Sequence, residues 1–184
     1  MALILIKETG AGLANANSYA DVADGDAYHA GHLYATAWTG ASADQKSAAL
    51  AMASRLIDAE YQFGGFKTND SQSLQWPRYR CTDPDRDPSI RVGRLMIWEN
   101  WVPENSVPKA VIQATCELAR ELLIVDRTAA PAGEGLKYLN AGTTQTGYDK
   151  TDRRPIIPPV VQSLLARFGT LIKSKSGAVR LIRT

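Results

Sequence analysis

Apolar residues recur at helical spacing from residue 43 to residue 63, and this is the clearest pattern along the chain. Ala53 and its neighbours at spacings of three and four form one apolar, alanine-rich face. Ser42 can cap the first turn, and Gln45 completes a capping box with it. The glycine pair at 64–65 ends the pattern. The sequence therefore predicts a long helix that another backbone can approach closely.

Three other segments show helical patterns. A short helix is predicted at 22–31, because Asp21 can cap it and Asp24 stands where a capping box needs an acid. Apolar residues spaced by three and four predict a helix at 106–126, opened by a proline near its first turn. A shorter amphipathic helix is predicted at 159–168.

The remaining pattern is extended or irregular. The first ten residues predict an opening strand, and alternating apolar residues at 90–103 indicate a strand or a hairpin arm. The segment 136–150 predicts a β-hairpin, and 179–182 predicts a terminal strand. No apolar run approaches the roughly 18 residues that a membrane-spanning helix needs, so we expect no membrane partner.

Together these elements predict a mainly α fold, a small helical domain built on a long helix hairpin. A protruding arm at 79–103, a short β-hairpin at 136–150 and an extended C-terminal tail complete it. We expect residues 1–150 to form the helical domain. Residues 151–184 are then a basic C-terminal helix and tail.

Charge divides the chain at nearly the same place. Residues 150–184 carry 8 Lys or Arg and a single acid, Asp152, for a net charge of +7. Residues 1–149 carry 13 basic and 18 acidic residues, for a net charge of −5. The basic segment is therefore expected to meet a negative surface, either protein or nucleic acid, or simply to be solvated.

Motifs for catalysis and cofactor binding are missing from the sequence. It has no phosphate-binding glycine loop and no G-x-S-x-G nucleophile elbow. Asp26, His29 and His32 form D-x-x-H-x-x-H, but a structural zinc site wants four ligands, so we interpret them as surface polar residues. We expect no enzyme activity, no catalytic residue, no cofactor and no metal.

Tryptophans and arginines are concentrated between residues 76 and 101. We predict that Trp76 and Pro77 pack into the core and hold their loop against it. An inter-subunit arm is predicted from four residues, namely Arg91, Arg94, Trp98 and Trp101. Aromatic residues with arginine are typical both of protein interfaces and of sites that stack single-stranded bases. In the second interpretation the bases stack on Trp76, Trp98 and Trp101, and the interleaved arginines are Arg78, Arg80, Arg91 and Arg94.

NANSYADVADGDAYHA at 15–30, DAEYQF at 58–63 and LQWPR at 74–78 together resemble a family of phage head–tail connectors. Its members are often labelled DnaT-like single-stranded DNA-binding proteins. The resemblance implies a structural head–tail adaptor located in the virion and synthesised in the host cytoplasm. It implies a homo-oligomeric ring, a dodecamer, that binds the portal protein and a tail or stopper protein. Double-stranded DNA would pass through the ring without specific binding.

We assign the portal contact in this interpretation to the end of the basic tail. The predicted portal-binding residues are Lys173, Lys175, Val179, Arg180, Leu181, Ile182 and Arg183. The alternative function is a DnaT-like single-stranded DNA-binding protein, and salt-sensitive binding of an oligonucleotide would distinguish the two.

Overall fold

The computed structural model of the protein describes residues 3–85, 89–92, 95–98, 100–130, 138–141, 144–147 and 154–172. It confirms a helix-rich fold with short β-hairpins. The helices are α1 (Val22–His29), α2 (Thr36–Thr39), α3 (Ala43–Glu60), α4 (Lys109–Ile124) and α5 (Pro159–Leu165). None of the helices in these ranges is long and apolar enough to cross a membrane.

In the part of the chain that the structure describes, eight short strands form four antiparallel pairs, β1 with β8, β2 with β3, β4 with β5, and β6 with β7. The strands are β1 (Tyr61–Phe63), β2 (Phe66–Lys67), β3 (Arg78–Tyr79), β4 (Ser89–Val92), β5 (Leu95–Trp98), β6 (Tyr138–Ala141), β7 (Thr144–Gly147) and β8 (Gly169–Leu171). The β4–β5 pair lies in the predicted arm, and the β6–β7 pair lies in the predicted hairpin.

Capping boxes begin α1 and α3, as the sequence predicts. The Asp21 carboxylate accepts the backbone N–H of Asp24 at 2.8 Å, and the Asp24 carboxylate accepts that of Asp21 at 2.9 Å. Ser42 and Gln45 make the same reciprocal pair of bonds at α3. Each box satisfies N–H groups that a helix start leaves without partners.

Helix α2 was not predicted, since a four-residue turn is too short to show a period. It delivers Trp38 to the core, where the side chain is fully buried and its indole N–H donates to Asp26 at 2.8 Å. A Cβ placed on Gly25 of α1 would lie only 2.3 Å from the Trp38 ring. Gly25 is therefore required for the close approach of the ring to α1.

Helix α3 ends at Glu60, three residues before the predicted end. Residues 61–63 leave the helix because they pair with β8, with Tyr61 opposite Leu171 and Phe63 opposite Gly169. Aromatic residues favour strands when such a partner is present. The partner comes from the far end of the chain, so the local helical pattern could not reveal it.

Helices α3 and α4 pack against each other. Helix α4 begins at Lys109, with Pro108 as its N-cap residue, and not at Ser106 as predicted. Val111 and Leu118 are fully buried on α4, and Ala53 is fully buried on α3. The small alanine side chains permit the close approach that the sequence predicts.

The C-terminal described segment folds onto this helical body. Helix α5 packs against α4, and β8 pairs with β1. The backbone N–H of Ile172 donates to the carbonyl of Glu60 at 2.7 Å. Residues 154–172 therefore extend the core that residues 16–119 build.

Trp76 lies at the centre of the core and is fully buried. Its ring meets Phe63 edge to face at 5.6 Å and Phe168 at 5.9 Å between centroids. The indole N–H has no hydrogen-bond partner within the described ranges. The ring therefore contributes through apolar burial and aromatic contact rather than through hydrogen bonding.

A buried hydrogen-bond network holds the backbone of Gln75 and Trp76. The Tyr19 hydroxyl donates to Asp58, and it accepts the backbone N–H groups of Gln75 and Trp76 at 3.0 and 3.2 Å. The Asp58 carboxylate also accepts the Gln75 N–H at 3.0 Å. Burial raises the pKa of Asp58 to about 6, although these hydrogen bonds oppose the rise.

We predict that Trp76→Ala lowers the free energy of unfolding by about 3–5 kcal/mol, as large-to-small changes in a packed core do. Trp76→Phe should lower it much less, because an aromatic ring remains and the lost N–H had no described partner. Urea denaturation of both variants measures this. A Trp76→Ala variant as stable as the parent would show that the ring does not anchor the core.

A second prediction concerns pH. Because the folded-state pKa of Asp58 lies above the unfolded value of about 3.9, its protonated form favours folding. This contribution is complete below about pH 4 and is lost as pH rises through about 6, with a size on the order of 3 kcal/mol. The unfolding free energy of the parent minus that of Asp58→Asn should therefore fall as pH rises over this interval.

Comparing the two proteins at each pH cancels other titrations, including that of His29, whose pKa is lowered by burial and which therefore acts in the opposite direction. A pH-independent difference for Asp58→Asn would contradict the raised pKa of this carboxyl.

Candidate functional site

The chain that leaves Trp76 is fixed by the buried guanidinium of Arg78. Its N–H groups donate to the carbonyl oxygens of Gly64 and Gly65, each at 2.7 Å, and to that of Gln75 at 3.1 Å. These bonds connect strand β3, which contains Arg78, to the turn that follows β1. Since the guanidinium is committed to these carbonyls, the earlier suggestion that Arg78 contacts nucleic acid is wrong.

The β2–β3 hairpin brings two aromatic rings to the surface. Phe66 and Tyr79 are directly opposite each other in the register, with their ring centroids 5.7 Å apart and the planes tilted by 35°. The Phe66 residue is 62% exposed, although exposure of a phenyl ring to water is unfavourable. This hairpin thus offers an open aromatic face.

Arg80 extends this face toward Trp101. Its guanidinium carbon lies 5.3 Å from the Tyr79 ring centroid and 5.5 Å from that of Trp101, both within cation–π distance. The backbone of Arg80 is left-handed, with φ of 57°. A bridge between Thr82 and Trp101 keeps the two chain segments side by side. We call Phe66, Tyr79, Arg80 and Trp101 the aromatic–arginine surface.

Charges of both signs border this surface. The Lys67 ammonium group is bound to the Gln72 carbonyl at 3.3 Å. Asp85 forms an ion pair with Arg167, which follows α5. Arg80 is exposed, and its guanidinium lies over two rings. The arrangement can therefore accept a planar group on its rings and an anion beside them.

The two cysteines are both buried. Burial raises the pKa of the Cys81 thiol and raises that of Cys116 to about 12. Since the thiolate is the reactive form, neither thiol is a good nucleophile near neutral pH.

The histidines are not the exposed pair that the sequence suggested. His29 is 2% exposed, and its Nε2 lies 3.1 Å from the Cys116 carbonyl oxygen, so this histidine joins α1 to α4. The Nε2 of His32 lies 3.8 Å from the Glu117 carboxylate. Within the described part of the chain, no group of three His, Cys, Asp or Glu side chains could hold a metal ion.

The other predicted site residues divide into three groups. Trp76 and Pro77 lie buried in the loop before β3. Trp101 lies half-buried beside Arg80. Arg91 lies in β4 and Trp98 lies in β5, and the backbones of these two strands are paired. Outside the described ranges lie Arg94 and the predicted portal-binding residues Lys173, Lys175, Val179, Arg180, Leu181, Ile182 and Arg183.

Phe66 and Tyr79 were missed by the sequence analysis. They are 13 positions apart, each in a two-residue strand, and such strands are too short to show alternation. The available signal was the aromatic residue on each side of the LQWPR segment, together with Gly65, whose φ of 68° permits the turn before Phe66.

Residues 1–184 match the family model described as "Putative DnaT-like ssDNA binding protein". No curated protein and no solved structure matches the chain. The family description names single-stranded DNA binding and not a role at a phage head–tail junction. The predicted head–tail adaptor function is therefore wrong, and the match supports the alternative.

Proposed function

The chain belongs to this family of DnaT-like single-stranded DNA-binding proteins, and from that premise we propose that it binds single-stranded DNA on the aromatic–arginine surface. The family match over the whole chain carries the proposal. The geometry supports it by offering exposed rings beside a cation. In this proposal the protein binds DNA and catalyses no reaction.

Unpaired bases are the planar groups that fit this surface. Every base has a π face, so an aromatic side chain can stack on it without regard to sequence, for about 1–3 kcal/mol per base. Phe66 is the most exposed ring of the four-residue surface, and Tyr79 supports it from the opposite strand. A base stacked on Phe66 would cover apolar area that now faces water.

Arg80 supplies the contact for the phosphate backbone. Arginine presents several N–H groups in a fixed fork that matches phosphate oxygens. The Tyr79 and Trp101 rings flank the Arg80 guanidinium and limit its rotation, so less conformational entropy is lost on binding. Base stacking and phosphate contact would then occur side by side on one strand of DNA.

This assignment replaces the tryptophan set that the sequence suggested for DNA binding. Trp76 is fully buried and cannot stack on a base. Trp101 stays in the proposed site because it contacts Arg80.

The basic C-terminal segment favours the same function by long-range attraction. Residues 150–184 carry a net charge of +7, whereas residues 1–149 carry −5. Clustered positive charge raises the association rate with DNA and makes affinity depend on salt. In the same proposal, α3 and α4 serve as the long helix hairpin that supports the site.

The proposal is tested by fluorescence anisotropy with a labelled oligothymidine of about 20 nucleotides, in salt from about 50 to 300 mM. We expect binding that weakens with salt, and weaker binding to a duplex, whose bases are already stacked. Phe66→Ala should weaken binding about tenfold, as loss of one stacked base does. Arg80→Gln should lower the salt slope by about 0.7, the value for one phosphate contact on a single strand.

Matched controls come from exposed positions outside the surface. Tyr34 is 76% exposed on the turn before α2, and Arg55 is exposed on α3, so Tyr34→Ala and Arg55→Gln should bind like the parent. If the parent does not bind the oligonucleotide even in low salt, the proposed function is wrong. If it binds but Phe66→Ala matches Tyr34→Ala, DNA binds elsewhere on the protein.

A further inference from the structure

Arg167 is attached to the same strands that carry the aromatic–arginine surface. The next residue, Phe168, packs its ring on Trp76, and its carbonyl accepts the N–H of Gly64 at 2.9 Å. The Cys81 thiol lies 3.8 Å from the same carbonyl oxygen. Gly64 lies two residues before Phe66, the first residue of β2, and Cys81 directly follows Arg80. These contacts hold Phe168 against the residues that flank the aromatic–arginine surface. They therefore fix the position of Arg167 relative to that surface.

The partner of Arg167 is built on the same segments. Asp85 accepts one N–H of the Arg167 guanidinium. The backbone N–H of Asp85 donates to the Asp83 carboxylate at 3.1 Å, and that of Asp83 donates to the carbonyl of Asn100 at 2.5 Å. Asn100 is the neighbour of Trp101, so these hydrogen bonds connect the segment that carries Asp85 to the end of the surface that Arg80 and Trp101 form.

This ion pair is easily exchanged. The two side chains are 46% and 67% exposed, and exposed ion pairs contribute only about 0–1 kcal/mol to stability. A phosphate group offers Arg167 the same charge and can accept two guanidinium N–H groups at once, whereas Asp85 accepts one. The carboxylate of Asp85, in contrast, repels a nucleic-acid backbone. The pair therefore both holds the arginine in place and competes with an arriving phosphate.

Resting on the proposed function, we propose that Arg167 is a second phosphate-binding residue of the DNA site and that Asp85 is its built-in competitor. A single strand stacked on Phe66 and contacting Arg80 reaches Arg167 with a further phosphate of the same backbone. Arg167 then exchanges the Asp85 carboxylate for that phosphate. The ligand is the phosphodiester backbone of single-stranded DNA, and Asp85 lowers the affinity for it.

The test measures oligothymidine binding and its salt slope for Arg167→Gln and Asp85→Asn. Arg167→Gln should bind several-fold more weakly, with a slope lower by about 0.7, because one phosphate contact is lost. Asp85→Asn should bind at least about twofold more tightly, because a competing and repelling charge is removed. Arg55→Gln on α3 removes the same charge away from the site and should change neither quantity. Both altered residues are exposed, so melting temperatures close to that of the parent verify folding.

Two results would overturn this inference while leaving DNA binding intact. Arg167→Gln could bind like Arg55→Gln, which would show that Arg167 contributes only to net charge. Asp85→Asn could bind no more tightly than the parent, which would show that Asp85 does not compete. Absence of binding by the parent would instead remove the proposed function and this inference together. If Phe66→Ala binds the oligonucleotide more weakly than the parent and Arg167→Gln does not, only the role of Arg167 is overturned.

Discussion

The ring of Trp76 is fully buried between β1 and the C-terminal segment. Its ring is enclosed by Phe63 from β1 and by Phe168 from the C-terminal segment, so one side chain joins distant parts of the chain. The backbone of a loop can enter a core only if its N–H groups find partners. The hydroxyl of Tyr19 and the carboxylate of Asp58 supply those partners. Apolar burial and hydrogen bonding thus fix the same loop.

The surface that we assign to DNA follows directly from this anchor. Three residues separate the buried Trp76 from the exposed Arg80, and between them Arg78 fastens the chain to the turn after β1. The Phe66 ring is therefore held opposite Tyr79 on a hairpin whose base cannot move independently of the core. A rigid base lets exposed rings bind a flexible strand without an additional ordering cost in the protein.

Local signals in the sequence predicted local features well. The capping boxes at Asp21 and Ser42, and the core position suggested for Trp76, depend on residues close in sequence or on one large apolar side chain. Features that depend on distant partners were missed, such as the β1–β8 pairing and the burial of His29 against α4. The functional prediction failed for a similar reason, since LQWPR describes how the core is anchored and not what the exposed surface binds.

Photo-crosslinking can locate the base-stacking surface that we propose for the core anchored by Trp76. An oligonucleotide carrying 5-bromodeoxyuridine is irradiated with the protein, and the crosslinked peptides are identified by mass spectrometry. We expect the crosslinks at Phe66, Tyr79 or Trp101, since halogenated bases react with the aromatic side chains on which they stack. Crosslinks confined to other residues, such as Tyr34 on the turn before α2, would contradict base stacking on the aromatic–arginine surface.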